Sequence, residues 1–167
     1  ADATIDSNGK IPSYKFENYN IDMLEAGNFL LFIYDKTKEQ KYLTALQQLR
    51  SQLETHPRTS EGGFWHKKVY PNQMWLDGLY MGSPFYAHYT SEFEKGKKLD
   101  DVALQFELIQ KNLIDQKTGL LYHGDNKKHD VARIFNQAAQ KLHLDKVYNQ
   151  VDGFYGLDFC ENEEIRN

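Results

Sequence analysis

The chain has 167 residues, a length that fits one globular domain and leaves little room for a second. Hydrophobic residues make up 40% and aromatics 14%, so a packed interior is expected and a disordered chain is excluded. Twenty Lys and Arg against 24 Asp and Glu give a formal charge of −4, which argues against nucleic acid as a partner, because phosphate binding needs a clustered positive field.

In chain order, residues 1–16 lack periodicity, contain Asn8-Gly9 and Pro12, and read as an irregular lead-in. A first helix is expected from Glu17 to Tyr34, apolar nearly all round at its end and therefore buried on several sides. Its run Phe29 to Tyr34 is the longest apolar stretch, six residues against the roughly 20 needed to cross a bilayer, so no membrane span is expected. No basic-then-apolar leader is seen either, and a start at Ala1 leaves the compartment open.

Tyr42, Leu46, Leu49 and Leu53 recur at helical spacing and predict an amphipathic second helix, ended by His56-Pro57. The stretch to Pro71, with Gly62-Gly63, Trp65-His66 and Tyr70, has no helical period. A third helix, again apolar on most sides, is predicted over Asn72–Tyr89, weakened by Gly78, Gly82 and Pro84. A fourth runs from Asp100, read as its cap, to Leu113. Residues 115–119 form a turn, and a fifth helix is expected over Asp130–Leu142. No segment alternates like a strand, so the class is all-α.

The clusters Lys67-Lys68, Lys95 to Lys98 and Lys127-Lys128 are short and flanked by polar residues, and are read as solvated surface. A single cysteine, Cys160, excludes an intrachain disulfide and a cysteine-based zinc site.

Two loops share one pattern. Gly62-Gly63-Phe64-Trp65-His66 and Gly119-Leu120-Leu121-Tyr122-His123 both read Gly-x-apolar-aromatic-His, with histidines 57 positions apart, and each follows an amphipathic helix. Alternating amphipathic and buried helices with the same loop at the same point of each hairpin imply an inner and an outer ring, an α/α toroid. Both histidines would then look into one mouth.

Asp77 lies among Met74, Trp75, Leu76 and Tyr80, where an unpaired carboxylate would be desolvated, stay protonated near neutral pH and serve as a general acid. A structural carboxylate bonded to backbone or to His66 fits equally well. His66 and His123 are core residues, metal ligands or polar contacts in a cleft. Separate loops without a ligand at i+3 or i+4 make a poor metal motif, and the glycine-aromatic-histidine order favours the cleft. Asp22, near the start of its helix, is accounted for by the helix dipole alone.

His56-Pro57-Arg58-Thr59-Ser60-Glu61-Gly62-Gly63-Phe64-Trp65-His66-Lys67 and Tyr70 to Met81, then Asp115 to Gly124, closely resemble signatures of the unsaturated rhamnogalacturonyl hydrolases, glycoside hydrolase family 105. The similarity is strongest over residues 19–124, within a single partial toroid domain spanning 1–167. The resemblance implies an (α/α)6 six-hairpin toroid and removal of a 4,5-unsaturated uronic acid from the non-reducing end of lyase-generated oligosaccharides. It makes Asp77 the catalytic acid, places His66 and Trp75 in the same subsite, sets His123 against the sugar or its carboxylate, and makes Asp22 a second acid facing the reacting ring. No metal or organic cofactor is implied.

The sequence also departs from the family. Gly124 is followed by Asp125-Asn126-Lys127-Lys128 without the family's aromatic, and nothing from Val131 to Asn167 matches its Trp-rich stretch. Six hairpins at this spacing need more than about 300 residues, so the chain is expected to cover about half a toroid. An open apolar edge along Phe29–Tyr34 and Met74–Met81 would then favour a homo-oligomer. Two rivals are an inactive carbohydrate-binding fragment and a toroid polysaccharide lyase using Tyr70 or Tyr122 as base.

Overall fold

The computed structural model describes residues 5–124, and within them every regular element is helical. Residues 5–15 form no element, yet Ile5, Ile11 and Tyr14 are buried, and the Tyr14 hydroxyl donates to Gln52 Oε1 at 2.7 Å. Two single 3-10 turns, Phe16–Asn18 and Ile21–Leu24, lead into four helices: α1 (Ala26–Thr37), α2 (Gln40–Thr55), α3 (Leu76–Phe93) and α4 (Leu99–Leu113). The all-α reading holds. The expected fifth helix, over 130–142, lies outside the described residues.

The first helix begins at Ala26 rather than Glu17. Tyr19 adopts a left-handed φ of 43°, and the Ile21 N–H donates to His66 O at 3.1 Å instead of to a carbonyl of its own turn. Residues 19–24 are thus spent on holding a distant loop. The third helix likewise starts at Leu76, not Asn72, because Asn72 has φ 61° and the Leu76 N–H donates to His123 O at 2.6 Å. Asp77 therefore sits in the first turn of α3, nearer the helix start than a beginning at Asn72 would place it. α4 starts one residue before the expected cap, and Asp100 is part of its first turn.

α1 packs on α2, and α3 on α4, as two helical hairpins that meet through α1 and α3. Gly27 makes that meeting close, since a β-carbon there would run into the Phe85 ring. The main core joins the lead-in, α1, α2 and α3 through Leu24, Leu30, Leu46, Leu49, Phe85 and Tyr86. A second cluster, Met74, Leu108, Ile109 and Leu113, seats the loop after α4. Phe29 and Phe32 on α1 stack on one another and stay 58% exposed, and Tyr80 on α3 is also exposed, whereas Leu30, Leu31 and Met74 of the expected apolar edge are buried in the core.

Candidate active site

The two repeated loops have matching backbones. Each closes an isolated antiparallel bridge two residues before its histidine, Arg58 to Phe64 in one and Ile114 to Leu121 in the other. The first is tied to α4: Arg58 donates two parallel hydrogen bonds to Asp101 (2.7 and 2.6 Å), and Gln105 Oε1 accepts the Phe64 N–H at 2.8 Å. The second is closed by Asp115, whose Oδ1 accepts the N–H of Lys117 and Thr118, while its Oδ2 accepts the Tyr122 hydroxyl at 2.5 Å.

His66 is where three segments meet. Its N–H donates to Gln73 O at 2.7 Å and its carbonyl accepts from Ile21, which brings the 21–24 turn and the 70–75 turn against one imidazole. The ring is 1% exposed and stacks on Trp75 at 4.2 Å with 10° between planes. Behind it lies a small, mostly apolar cavity lined by Ile21, Phe64, Met74, Leu79, Tyr86 and Ile109. Burial holds the His66 imidazole below the usual histidine range, against the opposite pull of Asp77 and Asp22.

The carboxylates flank that ring. Asp22 Oδ1 is 3.4 Å from His66 Nε2, and Asp77 Oδ1 is 3.8 Å from His66 Nδ1. Asp77 Oδ1 is also 3.9 Å from His123 Nε2, and the His123 ring tilts against Trp75 at 5.5 Å. The five residues singled out in the sequence, Asp22, His66, Trp75, Asp77 and His123, thus form one cluster. The two loop histidines share a carboxylate oxygen between them, so the repeat is a spatial one.

Two details correct the sequence reading. The Asp77 side chain is 38% exposed rather than buried among apolar neighbours, because its place in the first turn of α3 leaves it at the mouth. Lys67 is not simply solvated surface: its ammonium lies 2.7 Å from Asp22 Oδ2. Nothing in a Lys-Lys dipeptide signals this. Tyr70 is a further wall residue, stacked on Trp75 at 4.8 Å, and Gln73 Oε1 accepts the Trp75 indole N–H at 3.2 Å.

Asp77 pairs with no lysine or arginine among the described residues, whereas Asp22 does. One carboxylate is matched by a fixed cation and the other faces two imidazoles, an asymmetry suited to acid-base work. Asp22, His66 and Asp77 each offer one donor atom within 4.8 Å of the others, a set that could hold a divalent cation. It draws on three separate elements, which is why spacing along the chain could not reveal it.

A sequence model of Glycosyl Hydrolase Family 88 matches residues 1–142. The chain belongs to that family. The unsaturated rhamnogalacturonyl hydrolase YesR of Bacillus subtilis (strain 168) is 32% identical over 115 residues, covering 65% of this chain and 33% of its own length. A glycoside hydrolase from family 105 of C. acetobutylicum ATCC 824 superposes with a TM-score of 0.73 at 51% identity, covering 77% of this chain and 36% of that one. A possible family 105 member from Klebsiella pneumoniae subsp. pneumoniae MGH 78578 does so at 0.61 and 27%, covering 72% and 33%. The resemblance to family 105 holds, and the fold is that of the (α/α)6 toroids, of which this chain is a part. The matched segment spans about a third of each relative's length.

Proposed function

We propose that this chain carries the acid-base wall of a glycoside hydrolase that removes a 4,5-unsaturated uronic acid from the non-reducing end of an oligosaccharide. The observation that carries this reading is the convergence of Asp77 with both loop histidines beside Asp22. Family membership and the named activity of the Bacillus relative support it.

The substrate's C4–C5 double bond is a vinyl ether. Asp77 gives its proton to C4, leaving an oxocarbenium ion at C5. Water adds its oxygen to C5 and returns a proton to the Asp77 carboxylate, directly or through Asp22. The hemiketal so formed opens and expels the rest of the saccharide. The chemistry differs from displacement between two carboxylates at the anomeric carbon. Trp75, held between the stacked His66 and Tyr70 rings, forms the subsite wall beside Asp77 and meets the sugar with its edge rather than a free face. His123, about as exposed as Asp77, contacts the sugar or its carboxylate from the opposite loop.

The test is the ultraviolet absorbance of an unsaturated pectin-derived disaccharide incubated with the chain. It falls for an active hydrolase, and Asp77→Asn removes the loss by roughly 10²-fold or more with binding retained, because an amide cannot donate the proton. Binding without any loss of absorbance would replace the enzyme by a carbohydrate-binding part of one.

A further inference from the structure

The aromatic nearest the acid cannot be the platform on which a sugar lies, because the faces of Trp75 are covered by the stacked His66 and Tyr70 rings. Tyr70 is the outermost ring of that stack, with Asp77 at the His66 end. A sugar face beside Asp77 needs another partner.

Helix α3 supplies one. Its buried side is formed by Gly82, Ser83, Phe85, Tyr86, Tyr89 and Thr90, and the opposite stripe carries Asp77, Tyr80 and Pro84 at the spacing of one helix face. Tyr80 is 68% exposed and has no ring contact or hydrogen bond among the described residues. Side chains on a helix lean toward its N-terminus, so the Tyr80 ring covers the turn that carries Asp77.

Pro84 adds a second feature to this stripe. It lies inside α3, four residues after Tyr80, and has no N–H to give to the Tyr80 carbonyl. One backbone acceptor on the open stripe is thus left without its helical donor. A proline in a helix interior is destabilising, and Pro84 is itself exposed, so packing among the described residues does not offset it.

We propose that Tyr80 and the carbonyl freed by Pro84 form the bed of the sugar subsite: the Tyr80 ring takes the face of the unsaturated pyranose, and the carbonyl accepts one of its hydroxyls. The C4–C5 double bond flattens that pyranose, which suits it to an aromatic face with C4 turned to Asp77. Positive charge developing at C5 then lies over the electron-rich face of the phenol. The identity of the ring as an unsaturated uronide rests on the hydrolase reading; an aromatic-and-carbonyl subsite for a pyranose does not.

The experiment is calorimetric titration of an unsaturated pectin-derived disaccharide into the chain carrying Asp77→Asn, so that no turnover intervenes. Adding Tyr80→Ala should weaken binding about tenfold, the scale of an aromatic contact, while Tyr80→Phe stays within about twofold. Pro84→Ala restores an N–H to the Tyr80 carbonyl, so it should raise Tm and yet weaken binding about threefold or more. A merely structural proline would not move the two readouts in opposite senses. Unchanged affinity in Tyr80→Ala, a Phe variant as weak as the Ala one, or no binding by the parent chain would each overturn the proposal. So would a Tyr80→Ala chain that sediments as a smaller species than its parent, which would make Tyr80 a contact between copies. Unchanged affinity in a stabilised Pro84→Ala variant would overturn the part given to the carbonyl. The absorbance assay separates this inference from the hydrolase reading. Binding that depends on Tyr80 without any loss of absorbance by the wild-type chain sinks the hydrolase and leaves the subsite. Loss of absorbance with an unchanged KM in Tyr80→Ala does the reverse.

Discussion

The loops 58–66 and 114–123 share a sequence pattern, a bridge position and a destination, yet they are built for different tasks. The first buries its histidine completely and anchors itself to α4 through Arg58, Asp101 and Gln105. The second leaves its histidine 37% exposed and closes on itself through Asp115 and Tyr122. A buried ring between two carboxylates must hold its geometry, so its loop is welded to the helices. The exposed ring stands at the mouth, and its loop is hydrogen-bonded to the start of α3 through backbone alone, by the Leu76 N–H and the Trp75–Gly124 bridge. The same pattern yields a buried half and an exposed half of one site, and the difference lies in what each loop is tied to.

Breaking the weld gives the largest expected effect. Asp101 accepts from both arms of Arg58 and from the Tyr86 hydroxyl at 2.9 Å, joining the first loop, α3 and α4 at one carboxylate. Asp101→Ala strands a partly buried guanidinium and a phenol, and should cost about 3 kcal/mol in urea unfolding. A loss under about 1 kcal/mol would show that the first loop is held by packing alone.

The first loop should also be the acid-sensitive one. His56 Nε2–H donates to Trp65 O at 2.7 Å, and burial lowers its pKa from 6.5 to about 4. With a folded value below the unfolded one, the unfolded chain binds the extra proton. The contribution is therefore fully present above pH 6.5 and is lost as pH falls toward 4, by up to about 3 kcal/mol. His56→Gln should flatten this part of the stability profile, and an unchanged slope in that variant would assign the acid sensitivity elsewhere.

Much of this comparison could be read from the sequence, and the reasons are local. Helical periodicity placed α2 and α4 to within a few residues because their buried stripes are amphipathic. The repeat placed His66 and His123 together because a repeated loop on successive hairpins reaches the same rim. The starts of α1 and α3 were misplaced for one shared reason: Ile21 and Leu76 give their N–H groups to His66 O and His123 O, bonds to residues about 45 positions away that no local window contains. That shift set Asp77 at the mouth. Lys67 escaped notice because its role depends on Asp22, brought near only by the 21–24 turn.

Sharpening the comparison on the second loop calls for Asp115→Ala. Its carboxylate takes two N–H groups of its own turn and the Tyr122 hydroxyl, and its loss should cost about 1–2 kcal/mol, less than Asp101→Ala, because the bonds lie within one loop. The tilted contact of His123 on Trp75 should loosen with it, seen as a change in indole fluorescence. A cost equal to that of Asp101→Ala would erase the distinction between welded and self-closed loops.

The smallest effect on stability, and the sharpest separation of the two halves, is expected from His123→Ala. The second loop reaches α3 through backbone: the Leu76 N–H donates to His123 O, and Trp75 bridges to Gly124. Neither bond involves the imidazole, so the substitution should change unfolding free energy by no more than about 0.5 kcal/mol. The ring's remaining contacts are with Trp75 and the Asp77 carboxylate, the groups assigned here to the sugar, so its loss should fall on ligand binding. An increase of about tenfold in KM with a lesser change in kcat is the pattern of a contact made equally in ground and transition states. If His123→Ala destabilised the chain as much as Asp101→Ala, or left both kinetic constants untouched, the second loop would be part of the frame and not of the site.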